Sequence, residues 1–76
     1  LVVDDMYRDV LGSDVINDGM YVELRDSSGV VVATVFRSDV TGQYEVHFDP
    51  ADAPREVIDH FVQRAKETLA SRALSA

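Results

Sequence analysis

Two histidines, a scatter of carboxylates and one serine beside a glycine are the residues of this chain that could do chemistry. His47 stands two positions from Glu45 in an alternating run, and Glu23 holds the matching parity of an earlier run. An imidazole with one or two carboxylates is the donor set of a weak metal site. His60 follows Glu56 by four residues, one helical turn, on a different segment. No regular ligand spacing joins the two histidines, so both are expected to face solvent and no metal or other cofactor is assigned. Asp4, Asp5, Asp14, Asp18, Asp49 and Asp52 all fall in or beside expected turns and helix starts. There, Asp serves as a cap or bonds its own backbone, and these roles account for all six. Ser13 precedes Asp14, the reverse of the Asp-before-Ser order that a prosthetic-group attachment serine needs, and reads as a turn residue. Phosphate-cradling glycine loops, nucleophile elbows and metalloprotease signatures are missing from the sequence. The expectation is therefore no catalytic residue, and a chain that is not an enzyme by itself.

The elements that would position these residues are clearest between positions 20 and 48. Met20, Val22 and Leu24 alternate with Tyr21, Glu23 and Arg25, and Tyr44, Val46 and Phe48 alternate with Gln43, Glu45 and His47. Period two with one apolar parity marks a strand dry on one face and wet on the other. Between them, Val30, Val32, Thr34 and Phe36 share one parity and Val31, Ala33 and Val35 the other. A strand apolar on both sides reads as the central one. Short links at 26–29 and 38–42, rich in Asp, Ser and Gly, predict two hairpins and a meander of order 1-2-3.

A helix follows. Val57, Ile58, Phe61, Val62, Ala65 and Leu69 form a stripe at helical spacing, with Asp52 as N-cap and Pro54 in the first turn. Past Leu69 the stripe ends, so residues 70–76 are expected to fray. At the other terminus, Val3, Met6, Tyr7, Val10 and Leu11 also match helical spacing, and Gly12-Ser13 would stop that helix. Residues 14–19 read as a loop, or as a short additional strand through Val15-Ile16 in a hairpin with the first run. The predicted architecture is one α+β domain over residues 1–76. It is a three-stranded antiparallel meander with the C-terminal helix on one face and a short N-terminal helix. Beginning at Leu1, the sequence reads as a processed product or as one with a segment upstream.

Charge and composition bound the partners. Seven basic against fourteen acidic residues leave a net charge of −7, which opposes a phosphate backbone. Helix, three strands, helix is also the element order of double-stranded RNA-binding domains, but their basic clusters are absent and the chain has a single lysine, so nucleic acid is not an expected partner. No apolar run has membrane length, no basic segment precedes one, and there is no cysteine. A cytoplasmic protein with no membrane partner is the expectation.

With the helix covering Val22, Val32, Phe36 and Val46, the remaining face would carry an apolar stripe of Val31, Ala33 and Val35. Tyr21, Glu23 and Arg25 would rim it on one side, and Glu45 and His47 on the other. An apolar centre with a polar and aromatic rim has the composition of an interface. The functional expectation is a protein-interaction module, either self-associating as a homodimer or an acidic inhibitor, immunity or antitoxin-type protein that masks a basic partner. An accessory subunit of a larger enzyme is the alternative.

Overall fold

The computed structural model describes residues 6–75. Its elements are β1 (Tyr7–Asp14), β2 (Gly19–Asp26), β3 (Val31–Ser38), β4 (Tyr44–Phe48) and α1 (Arg55–Ser75). The strands make one antiparallel sheet in the order β1-β2-β3-β4, and α1 packs across one of its faces. The α+β class and the meander of β2, β3 and β4 agree with the sequence pattern; a fourth strand precedes them.

That fourth strand replaces the expected N-terminal helix. Tyr7, Val10 and Leu11 lie in β1, while Val3, Asp4 and Asp5 lie outside the described residues. The alternation of β1 is hidden in the sequence because each parity carries one residue of the wrong kind. Asp9 sits on the helix side with Tyr7 and Leu11, and Gly12 sits on the open side with Val10. Long-range contacts compensate for both. Arg64 of α1 donates to the two Asp9 carboxylate oxygens at 3.0 and 3.1 Å, and the Tyr21 ring of β2 covers Gly12. Residues 15–18 form the β1–β2 turn, so Val15-Ile16 is the tip of a hairpin and not a strand of its own.

Register decides which side of the central strand is dry. Val22 of β2 stands opposite Val35, Leu24 opposite Ala33, and Val46 of β4 opposite Val35. Opposed residues share a face. Ala33 and Val35 are therefore buried beneath α1, and Thr34 and Phe36 look out on the open face, the reverse of the parity expected for this strand. A bulge explains why Val32 is buried as well: Leu24 opposes Ala33 while Arg25 opposes Val31, which leaves Val32 as the additional residue. The bulge carries Val32 into the core next to Ala33.

The helix keeps its expected stripe. Val57, Ile58, Phe61, Ala65 and Leu69 are buried, with Val62 at the margin. Its start is later than Asp52: the backbone N–H of Ile58 donates to the Pro54 carbonyl, and α1 begins at Arg55. Asp49 organises the entry turn, accepting from the Ala51 N–H at 2.9 Å, and Ala53 drops into the core. Helical structure continues through Ser75, past Leu69. The β2–β3 turn is closed by Asp26, whose carboxylate accepts from the N–H groups of Ser28 and Val30, with Gly29 at φ 84.

Candidate functional site

Opposite the helix the sheet forms an open concavity of about 740 Å³. Two aromatic rings make its floor, and both lie where they do because the neighbouring strand offers a glycine. A side chain at Gly12 would bring its Cβ within 2.4 Å of the Tyr21 ring, and one at Gly19 within 2.4 Å of both the Phe36 ring and the Arg37 carbonyl oxygen. Each ring is thus laid across the adjacent strand and covers backbone that would otherwise face water. Thr34 fills the middle between β2 and β4.

The rim is acidic. Glu23, Glu45 and Asp14 line the concavity, and neither Lys nor Arg does. Arg25 lies just outside and is held by Glu23, to which its guanidinium donates at 2.8 and 3.1 Å. His47 and Glu45 approach to 3.6 Å on β4. At the far end Asn17 donates to both oxygens of Asp14, through its backbone N–H at 3.1 Å and its side-chain amide at 2.8 Å. These bonds hold the Asp14 carboxyl below the usual carboxylate range.

Of the eight residues assigned to an interface from the sequence, Tyr21, Glu23, Glu45 and His47 line this concavity. Arg25 borders it through Glu23, and Val31, opposite Arg25, is exposed at the end of β3. Ala33 and Val35 do not belong to it; they are core residues under α1. Thr34 and Phe36 take their place. Missed altogether was the apolar end of the sheet, where Val15 is 84 % exposed, Ile16 92 % and Val40 76 %. The β1–β2 and β3–β4 turns meet there, the Asp39 N–H donating to the Asp18 carbonyl at 2.8 Å. Their sequence signal was Val-Ile and Val inside otherwise polar turns.

Among the described residues no three His, Asp or Glu side chains converge as metal ligands, and no buried side-chain polar atom lacks a partner. His60 is exposed on α1, across the sheet from His47. No helix of the described residues is long and apolar enough to cross a membrane. The face presents aromatic surface, a central hydroxyl and carboxylates around the edge. No family model, curated protein or solved structure matches this chain.

Proposed function

We propose that this chain is a protein-interaction module whose open sheet face receives a basic segment of another protein, in the manner of an acidic inhibitor, immunity or antitoxin-type protein. The single observation that carries this reading is the lining of the concavity: Tyr21 and Phe36 on the floor, Asp14, Glu23 and Glu45 at the rim, and no Lys or Arg. The net charge of −7 adds a long-range attraction that speeds encounter with a basic surface. Arginine suits such a face best, because its guanidinium stacks on an aromatic ring while pairing with a carboxylate.

The test is affinity capture from the native host with the wild-type chain and with Thr34→Lys, each at low and high salt. Thr34 is half-buried at the centre of the face and outside the core, so its replacement leaves the helix side untouched. A basic protein should be held by the wild type at low salt, released at high salt, and lost with Thr34→Lys. A partner retained equally by both chains, or indifferent to salt, would show that the face is not the binding surface.

A further inference from the structure

We infer that β4 is the strand by which two copies of this chain pair, running antiparallel about a two-fold axis through Val46. This contact uses the sheet edge; it engages Glu45 and His47 at one margin of the open face and leaves Tyr21, Thr34, Phe36, Glu23 and Asp14 uncovered.

The two edges of the sheet are protected unequally. On β1 a charged residue, Asp9, points to the helix side and is held by Arg64, a device that discourages a further strand from adding. On β4 the helix-side residues are Tyr44, Val46 and Phe48, and α1 leaves Val46 36 % and Phe48 40 % exposed. The strand contains no proline.

Backbone phase shows what this edge presents. In the β3–β4 ladder the Ser38 N–H donates to the Gln43 carbonyl at 3.0 Å. Hydrogen-bonded and non-bonded pairs alternate along an antiparallel ladder, and Phe36 opposes Glu45 while Thr34 opposes His47. Gln43, Glu45 and His47 therefore turn their backbone groups toward β3, and Tyr44, Val46 and Phe48 turn theirs outward. A second β4 centred on Val46 meets those outward groups in phase. Val46 pairs with Val46 of the other copy and Tyr44 with its Phe48, each pair exchanging two N–H···O=C bonds.

Side chains select the same register. The strand reads Tyr44-Glu45-Val46-His47-Phe48, aromatic, acid, valine, imidazole, aromatic, and so complements itself when reversed about its middle. With the axis at Val46, Glu45 of each copy faces His47 of the other in the closer, non-hydrogen-bonded type of pair, about 4.5 Å between Cα atoms. A carboxylate and an imidazole pair by hydrogen bond, and by charge when the ring is protonated. The neighbouring registers of the same backbone phase place Glu45 against Glu45, or His47 against His47. On the helix side, Tyr44 meets Phe48 and Val46 meets Val46, covering the apolar surface that α1 leaves open. An acidic or apolar foreign strand would leave one of these groups unmatched; a second copy matches all of them.

Sedimentation equilibrium of the whole chain over a concentration series through the micromolar range is the first measurement, with the mass expected to rise from one chain to two. Amide exchange at high concentration should slow at Tyr44, Val46 and Phe48. Val46→Pro removes an outward N–H, and the valine side chain with it, but no N–H of the β3–β4 ladder, so that ladder survives while the dissociation constant rises by about tenfold or more. His47→Glu and Glu45→Lys then test the register through exposed side chains. Each should lose the dimer alone, and an equimolar mixture should regain it, because the mixed pair again sets acid against base at both positions. One-chain mass for the wild type at every concentration overturns the proposal. So does a mixture that stays monomeric, or single variants that associate as well as the wild type.

Discussion

The two faces of the sheet are made by the same strands and held by opposite means. Under α1, branched and aromatic side chains interlock: Val22, Leu24, Ala33 and Val35 from the strands meet Ile58, Phe61, Ala65 and Leu69 from the helix, with no buried polar group among the described residues. On the other face there is no second layer. Tyr21 and Phe36 lie over Gly12 and Gly19 on the adjacent strands and not in a core. Packing against a helix removes apolar area from water on both partners at roughly 25 cal/mol per Å², whereas a ring lying on its own sheet buries only one side. Stability therefore belongs to the helix face.

The largest effect that would expose this division is Phe61→Ala. Phe61 is fully buried between α1 and the sheet, and truncating a core phenylalanine costs about 3–5 kcal/mol. That is a large part of the stability of a domain this small. Urea denaturation should show the transition lost or moved close to zero denaturant. Thr34→Lys, on the open side of the same sheet, should leave the unfolding free energy within about 0.5 kcal/mol of wild type, as surface changes do. Equal losses for the two would mean that the faces are not divided in this way.

A second comparison lies within the open face. At Gly19 a Cβ would meet the Arg37 backbone oxygen as well as the Phe36 ring, both at 2.4 Å, while at Gly12 the three nearest atoms all belong to the Tyr21 side chain. A ring can swing aside, but a carbonyl held in a ladder cannot move without its strand. Gly19→Ala should cost about 1–3 kcal/mol, the range for forcing an added carbon into a packed site. Gly12→Ala should cost less, and should show instead as a displaced Tyr21 ring in its proton chemical shifts. If Gly12→Ala proves the more damaging, the rings are not what these glycines serve.

The ion pair between Asp9 and Arg64 ties the β1 edge to the helix with side chains that are still 35 % and 40 % exposed. Such pairs contribute about 0.2–1 kcal/mol, and less as salt rises. Asp9→Ala should lower stability by that amount in dilute buffer and by less in high salt, as measured by the denaturation midpoint at two ionic strengths.

The helix face was more legible in the sequence than the open face, for a physical reason. A stripe such as Val57, Ile58, Phe61, Ala65 and Leu69 repeats at a period that only a helix satisfies, and Val22 and Leu24 alternate with polar neighbours, so each pattern names its own dry side. In β3 the neighbours are Val31, Val32, Ala33 and Val35, and a strand apolar on both parities does not say which one faces the helix. Only pairing with Val22 and Val46 settles it, together with a bulge at Val32 that alternation cannot anticipate. β1 is a stronger case of the same limit. Asp9 and Gly12 obscure its alternation, and what corrects them comes from Arg64 and Tyr21, which are remote in sequence. Tyr21, Glu23, Glu45 and His47 could be placed together because their own strands alternate cleanly. Thr34 and Phe36 could not.

The smallest effect concerns the rim of the open face at Asp14, where the β1–β2 turn begins. Two hydrogen bonds from Asn17 favour the ionised carboxylate, so its pKa is lowered, with the side-chain bond the largest cause. A depressed folded-state pKa means that this contribution is present at neutral pH, above the unfolded value, and is lost as the pH falls through the folded one. Asn17→Ala removes the side-chain donor and leaves the backbone N–H, so the Asp14 titration should move up part of the way toward the ordinary carboxylate value. The midpoint can be followed by NMR at the carboxyl carbon. Because Asp14 is solvent-exposed, the change should be seen at that carbon and in the turn resonances of residues 15–18 and not in global stability. An unchanged midpoint would mean that Asn17 does not restrain the turn. The exposed Val15 and Ile16 would then have no fixed position beside the concavity, and the face would end at Tyr21 and Phe36.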